Sequence, residues 1–125
     1  MEYTYEDIAG LIDHSLLKPD LTQQQLENGL ALAMAYETAS VCILPYYLAR
    51  AAQKLADSPV RPSTTIGFPH GGHTTAAKVA EAERALADGA VELDMVCNIS
   101  AALSGEWDLV RNDIAAVVDA THAAG

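Results

Sequence analysis

Basic residues are scarce in this chain: seven lysines and arginines stand against 17 aspartates and glutamates, a formal net charge of −10 at neutral pH. That balance argues against a nucleic-acid binder and against an anionic membrane surface as partner, since both select basic patches. Cysteine is rarer still. Cys42 and Cys97 are the only two, each inside an apolar run, so they read as small buried hydrophobes of a reducing compartment, not a disulfide framework. No apolar run approaches the roughly 20 residues that a membrane span requires. The opening Met1-Glu2-Tyr3-Thr4-Tyr5-Glu6 has no basic-then-apolar targeting pattern. Repeats, low-complexity stretches and linkers are missing too. What is present is a chain of 125 residues, 50% hydrophobic, long enough for one core and too short for two ordinary ones. The expectation is a single acidic, soluble, cytoplasmic domain over residues 1–125.

Hydrophobic periodicity and breakers divide the chain regularly. Thr4 with Asp7, and Thr22 with Gln25, are spaced as capping boxes. They predict a short helix over about Tyr5 to Ile12 and a longer one through about Tyr36, with Leu26, Leu30, Ala33 and Met34 on one face. Between them Asp13 to Leu17 reads as extended, broken at Lys18-Pro19-Asp20. Ala39 to Leu44 is a buried-type strand. A helix from about Tyr46 to Ala56 follows, with Leu48, Ala51, Ala52 and Leu55 inward, then a loop over Ser58 to Pro62. Ser63 to Phe68 is a β-branched strand, and Pro69 to Thr74 is a glycine-rich loop. Thr75 to Ala87 is helical, closed at Asp88-Gly89 where glycine suits a left-handed cap. Val91 to Asn98 is a fourth strand. Ile99 to Leu103 forms one turn, and Glu106 to Ala123 a last helix with Leu109, Val110, Ile114, Val117 and Val118 as its buried stripe. Strand–helix alternation at this spacing predicts an α/β fold with parallel strands and right-handed crossovers. An open doubly wound sheet and part of a (β/α)₈ barrel both fit.

One residue stands out against this pattern. Asp94 sits in the middle of Val91-Glu92-Leu93-Asp94-Met95-Val96, a run that otherwise suits a strand buried on both faces. A carboxylate there costs several kcal/mol unless paired or hydrogen-bonded, and such acids cluster at functional sites; a satisfied structural acid is the bland alternative. Asp13, Cys42, Asp94, Asn98 and the Gly67-Phe68-Pro69-His70 corner fall in strands or just past their C-terminal ends, where both architectures place their chemistry.

The other candidates are weaker. His70 and His73 lack an obvious third metal ligand and read as exposed loop residues. Gly71-Gly72 carries no Walker or dinucleotide fingerprint. Cys42 and Cys97 have no adjacent base, and His14-Ser15 point to opposite faces of a strand. The three lysines, Lys18, Lys54 and Lys78, lie in a turn or mid-helix, where a solvated stem is the default; none reads as an activated amine.

Four ordered segments resemble the deoxyribose-phosphate aldolase family. They are Leu11-Ile12-Asp13-His14-Ser15-Leu16-Leu17-Lys18-Pro19-Asp20, Ala39-Ser40-Val41-Cys42-Ile43-Leu44-Pro45, Thr65-Ile66-Gly67-Phe68-Pro69-His70-Gly71 and Asp88-Gly89-Ala90-Val91-Glu92-Leu93-Asp94-Met95-Val96. Ser104-Gly105-Glu106-Trp107 continues the likeness, which covers essentially the whole chain. Val91 stands where the family often has an acid. The resemblance implies four parallel βα units preceded by a helix, the first half of a TIM (β/α)₈ barrel. It implies a class I aldolase of deoxyribonucleotide catabolism, without metal or cofactor. That enzyme reversibly cleaves 2-deoxy-D-ribose 5-phosphate to glyceraldehyde 3-phosphate and acetaldehyde through a lysine Schiff base. By motif position Asp94 would relay protons with water and a lysine pair, and Asp13 would support that network. Cys42 would line the pocket and Leu17 would touch the substrate. The family's Schiff-base lysine, its tuning lysine and its phosphate-binding residues belong to the second half and are absent from this chain. Loss of a covalent nucleophile removes the reaction path itself. The chain alone is therefore expected to be inactive, to regain activity with the other half, and to self-associate through its open strand edges. The rival expectations are a non-catalytic half-barrel scaffold that binds a partner half or a phosphorylated small molecule, and an independent four-stranded open sheet.

Overall fold

The computed structural model describes residues 2–123. Its elements are α1 (Tyr5–Ala9), β1 (Asp13–Leu16), α2 (Gln23–Tyr36), β2 (Ser40–Ile43), α3 (Pro45–Leu55), β3 (Arg61–Ile66), α4 (Thr75–Ala87), β4 (Glu92–Met95), α5 (Ile99–Leu103) and α6 (Trp107–His122). The strands form one sheet in the order β1-β2-β3-β4. β1 and β2 pair in parallel, as do β2 and β3. Sequential strands that are neighbours, each reached through a helix, are the βα crossovers that the alternation predicts. The chain divides into two compact units, Met1–Thr64 with Asp88–Glu92, and Thr65–Ala87 with Leu93–Gly125.

The first unit owes its core to α2, β2 and α3. Leu26, Leu30 and Ala33 recur at helical spacing and pack with Val41, Ile43, Ala51, Leu55 and Val60. Full burial of such side chains contributes about 1.5–3 kcal/mol each. Both capping boxes form: Thr22 Oγ1 accepts from Gln25 N and Gln25 Oε1 accepts from Thr22 N at 2.8 Å, with the same reciprocity between Thr4 and Asp7. Pro45 opens α3 at its first turn, where a missing N–H costs nothing. β2 is buried along its length. β3 begins at Arg61, earlier than the sequence indicates. Arg61 N donates to Ala39 O at 3.2 Å and Pro62 O accepts from Val91 N at 2.9 Å; Pro62 therefore serves the sheet through its carbonyl.

In the second unit α4 packs on α6. Ala82, Ala85 and Val117 are buried there, together with Lys78 and Asp113. Two expectations fail in this unit. The inward face of α6 is Val110, Asp113 and Val117, whereas Leu109, Ile114 and Val118 are exposed. Hydropathy misplaces the stripe because an aspartate occupies its centre. β4 is also not a doubly buried strand. It is the last strand in the sheet order, its residues are at most half-buried, and the side chain of Asp94 is exposed.

Candidate active site

Side-chain alternation gives β1 and β2 one polar and one apolar face. Asp13 is opposite Ser40 and Ser15 opposite Cys42, and Cys42 is opposite Ser63 on β3. These five share the polar face, with Ser40, Cys42 and Ser63 buried. On the other face Leu16 lies so close to α2 that a Cβ on Gly29 would overlap its side chain. Asp13 starts β1 and does not lie near its C-terminal end. Its Oδ1 accepts a 2.6 Å hydrogen bond from Ser40 Oγ. Leu17, just past β1, is half-buried. Thus Asp13 and Cys42 share one face of the first unit.

The second unit, taken by itself, holds Asp94 and the Gly67–Gly71 corner. Gly67 and Gly71 both have left-handed backbone (φ 68 and 66). A Cβ on Gly71 would strike the carbonyl oxygen of Cys97, so only glycine lets the corner close on the chain past β4. Gly67 N donates to Glu81 Oε2 at 2.7 Å, and Gly71 N donates to Gly67 O at 2.8 Å. Asn98 serves as a helix cap, its Oδ1 accepting from Ala101 N at 3.1 Å. His70 and His73 are exposed. Among the described residues no three His, Cys, Asp or Glu side chains converge as metal ligands would.

The lysines separate sharply. Lys18 is exposed and Lys54 is about half exposed, 3.7 Å from Glu27. Lys78 contradicts the expected solvated stem. It is 0% exposed, with Nζ 2.5 Å from Asp113 Oδ2 and 3.0 Å from Val96 O. Thr75 Oγ1 donates to the other Asp113 oxygen at 2.8 Å. A buried lysine is tolerable only with such partners. The sequence does hold a signal for the pair: Asp113 falls at helical spacing between Val110 and Val117, and Lys78 lies in an alanine-rich helix that allows close packing.

A parallel sheet with helical crossovers, its strands in sequential order, is the architecture of an α/β half-barrel. The model of the DeoC/LacD family aldolases matches residues 8–125, and the chain belongs to that family. It is 63% identical over 124 residues to a deoxyribose-phosphate aldolase from Rhodopirellula baltica, covering 99% of this chain and 52% of that protein. A deoxyribose-phosphate aldolase from Streptococcus suis is 50% identical over 110 residues, covering 88% and 50%. Among solved structures, a Coccidioides immitis protein assigned as a deoxyribose-phosphate aldolase superposes with a TM-score of 0.92 at 38% identity, covering 96% of this chain and 47% of that one. The tetrameric deoxyribose phosphate aldolase from Aeropyrum pernix gives 0.73 at 26% identity, covering 98% and 62%. The chain thus spans about half the length of the curated relatives it matches, and its fold is the first four βα units of their barrel.

Proposed function

We propose that this chain supplies the N-terminal half of a deoxyribose-phosphate aldolase that reversibly cleaves 2-deoxy-D-ribose 5-phosphate in the cytoplasm through a lysine Schiff base. The observation that carries this reading is the 63% identity to the Rhodopirellula aldolase across 124 residues. Asp94 is the proton-relay acid, its exposed carboxylate open to water and substrate. Asp13, held by Ser40, supports the relay network, while Cys42 and Leu17 shape the substrate pocket. The covalent nucleophile comes from elsewhere. A Schiff-base amine must be held neutral by burial or by a neighbouring cation. Lys18 and Lys54 are solvated, and Lys78 is buried with its Nζ engaged by Asp113 and by the Val96 carbonyl.

The 1–125 domain alone therefore has no turnover, and the remaining half of the barrel restores it. The test is borohydride trapping with acetaldehyde, together with an aldol-cleavage assay. Both are run on the purified chain and on the chain mixed with the other half of the Rhodopirellula relative. An adduct and turnover only in the mixture, with the label on the added half, support the reading. An adduct on Lys18, Lys54 or Lys78 overturns the assignment of the nucleophile, and a mixture without turnover overturns the aldolase reading.

A second reading is favoured by the sheet ends. β1 and β4 close the strand order, and large apolar residues are exposed in the chain leading into β1, Leu11 and Ile12, and in the helices that follow β4, Leu103 and Trp107. Two copies can cover these edges mutually, giving a self-associated, non-catalytic half-barrel scaffold when no partner half is available.

A further inference from the structure

We infer that Lys78 and Asp113 form a positioning pair for Asp94, acting through the backbone that follows it; the inference rests on the relay role proposed for that acid. An ammonium can serve two acceptors at once where an apolar side chain would serve none. Lys78 Nζ spends one on Asp113 and one on the carbonyl of Val96, two residues beyond Asp94. The amide of Val96 is held from the other side, donating to Ile66 O at 2.9 Å. Both backbone groups of Val96 are thereby fixed, and the exit of β4 is anchored to α4 and α6 although β4 ends the sheet order.

The anchoring has a counterpart one turn along α4. Glu81, three residues after Lys78 and on the same side of the helix, accepts from Gly67 N at the exit of β3. Helix α4 therefore grips two successive strand exits, with an acid on an N–H and an ammonium on a carbonyl. Both bonds are charge-assisted, about twice as strong as neutral ones. Asp113 aims the Lys78 amine, and Thr75 Oγ1 keeps Asp113 in place. A buried ion pair replaced by apolar residues is often neutral or stabilising, so stability alone does not account for this one. An apolar pair fills the space but gives Val96 O no donor.

That asymmetry provides the test. The double variant Lys78→Met/Asp113→Leu is compared with the unmodified chain by thermal melting, by amide hydrogen exchange and by the three-bond couplings that report the Asp94 side-chain rotamer. The expected result is a melting temperature close to the original. Protection at the Val96 amide falls about tenfold relative to the amides of α4, and the Asp94 couplings move toward rotamer averaging. A purely structural role restores protection and couplings along with stability. Unchanged Asp94 couplings in the folded double variant overturn the inference, whether or not Val96 protection falls. Should the variant not fold, the Asp94 couplings of the unmodified chain decide: a single rotamer supports the inference, and averaged couplings overturn it. None of these readouts involves turnover, so failure of the aldolase reading is recorded separately by the borohydride experiment.

Discussion

Ser40 donates its hydroxyl to Asp13 Oδ1 at 2.6 Å, and the two residues are direct Cα partners across β1 and β2. The serine is buried while the acid reaches solvent, so the bond orients Asp13 without taking it from water. Ser40→Ala is expected to lower stability by about 1 kcal/mol, the net worth of one such bond. Denaturant unfolding checks it. In a reconstituted barrel the same change is expected to lower kcat several-fold, because Asp13 loses its fixed rotamer.

Removing one member of the Lys78–Asp113 pair strands the other without solvent. Lys78→Met or Asp113→Leu alone is expected to cost about 3–5 kcal/mol, and the double variant far less. A double-mutant cycle by chemical denaturation measures the coupling. Equal and additive losses would show that the two side chains act independently.

Glu37 caps α2 in left-handed backbone, at φ 49. A residue with a Cβ is strained there by about 1–2 kcal/mol. Glu37→Gly relieves that strain but gives up part of it to the greater freedom of glycine in the unfolded chain. A net gain of about 0.5–1 kcal/mol is expected, seen as a higher denaturation midpoint with unchanged slope.

Glu27 accepts a hydrogen bond from Arg50 with an N–O separation of 2.8 Å, and Lys54 lies 3.7 Å away. The Arg50 hydrogen bond holds the Glu27 carboxyl below its ordinary value of 4.5 against an upward push from desolvation, and the charges of Arg50 and Lys54 add to the lowering. A carboxyl depressed in the folded state stabilises above its unfolded value, and that contribution fades as pH falls through the folded one. Glu27→Gln is therefore expected to lower the melting temperature slightly at neutral pH and to leave it unchanged well below pH 4.5. Added salt should shrink the neutral-pH difference, since the pair is solvent-exposed.

Open strand edges and exposed apolar side chains favour association. Light scattering of the isolated chain at tens of micromolar is expected to show a dimer or larger species. A monodisperse monomer would exclude mutual covering of the edges.

Most of the fold was legible because its signals are local. The Thr22–Gln25 capping box, the 26-30-33 spacing and the limits of α4 all depend on residues within a few positions of one another, and each element formed where these place it. Elements whose definition depends on distant partners were harder to read. β3 starts at Arg61 because Ala39 and Val91 supply its hydrogen-bond partners, which nothing between Ser58 and Pro62 announces. The inward face of α6 centres on Asp113, partner of a lysine 35 residues earlier, so hydrophobicity alone found Val110 and Val117 but added the exposed Leu109, Ile114 and Val118. At the candidate site, Asp13 and Cys42 were placed in strands by period, and the register puts them on the same polar face. Asp94 was singled out for the wrong reason: it is exposed at the end of the sheet, not buried within it. Asn98 looked like a site residue and is a cap, because an amide beside a helix start satisfies the backbone first.

The burial of Lys78 makes the chain its own unfolding reporter. An amine-acylating reagent reaches Lys18 and Lys54 in the folded protein, whereas the Lys78 amine is reached only when the packing of α4 against α6 opens. Of the three lysine modifications countable by mass, the last to arrive marks loss of that unit. Its rate, followed against temperature or denaturant, measures the opening without an engineered probe.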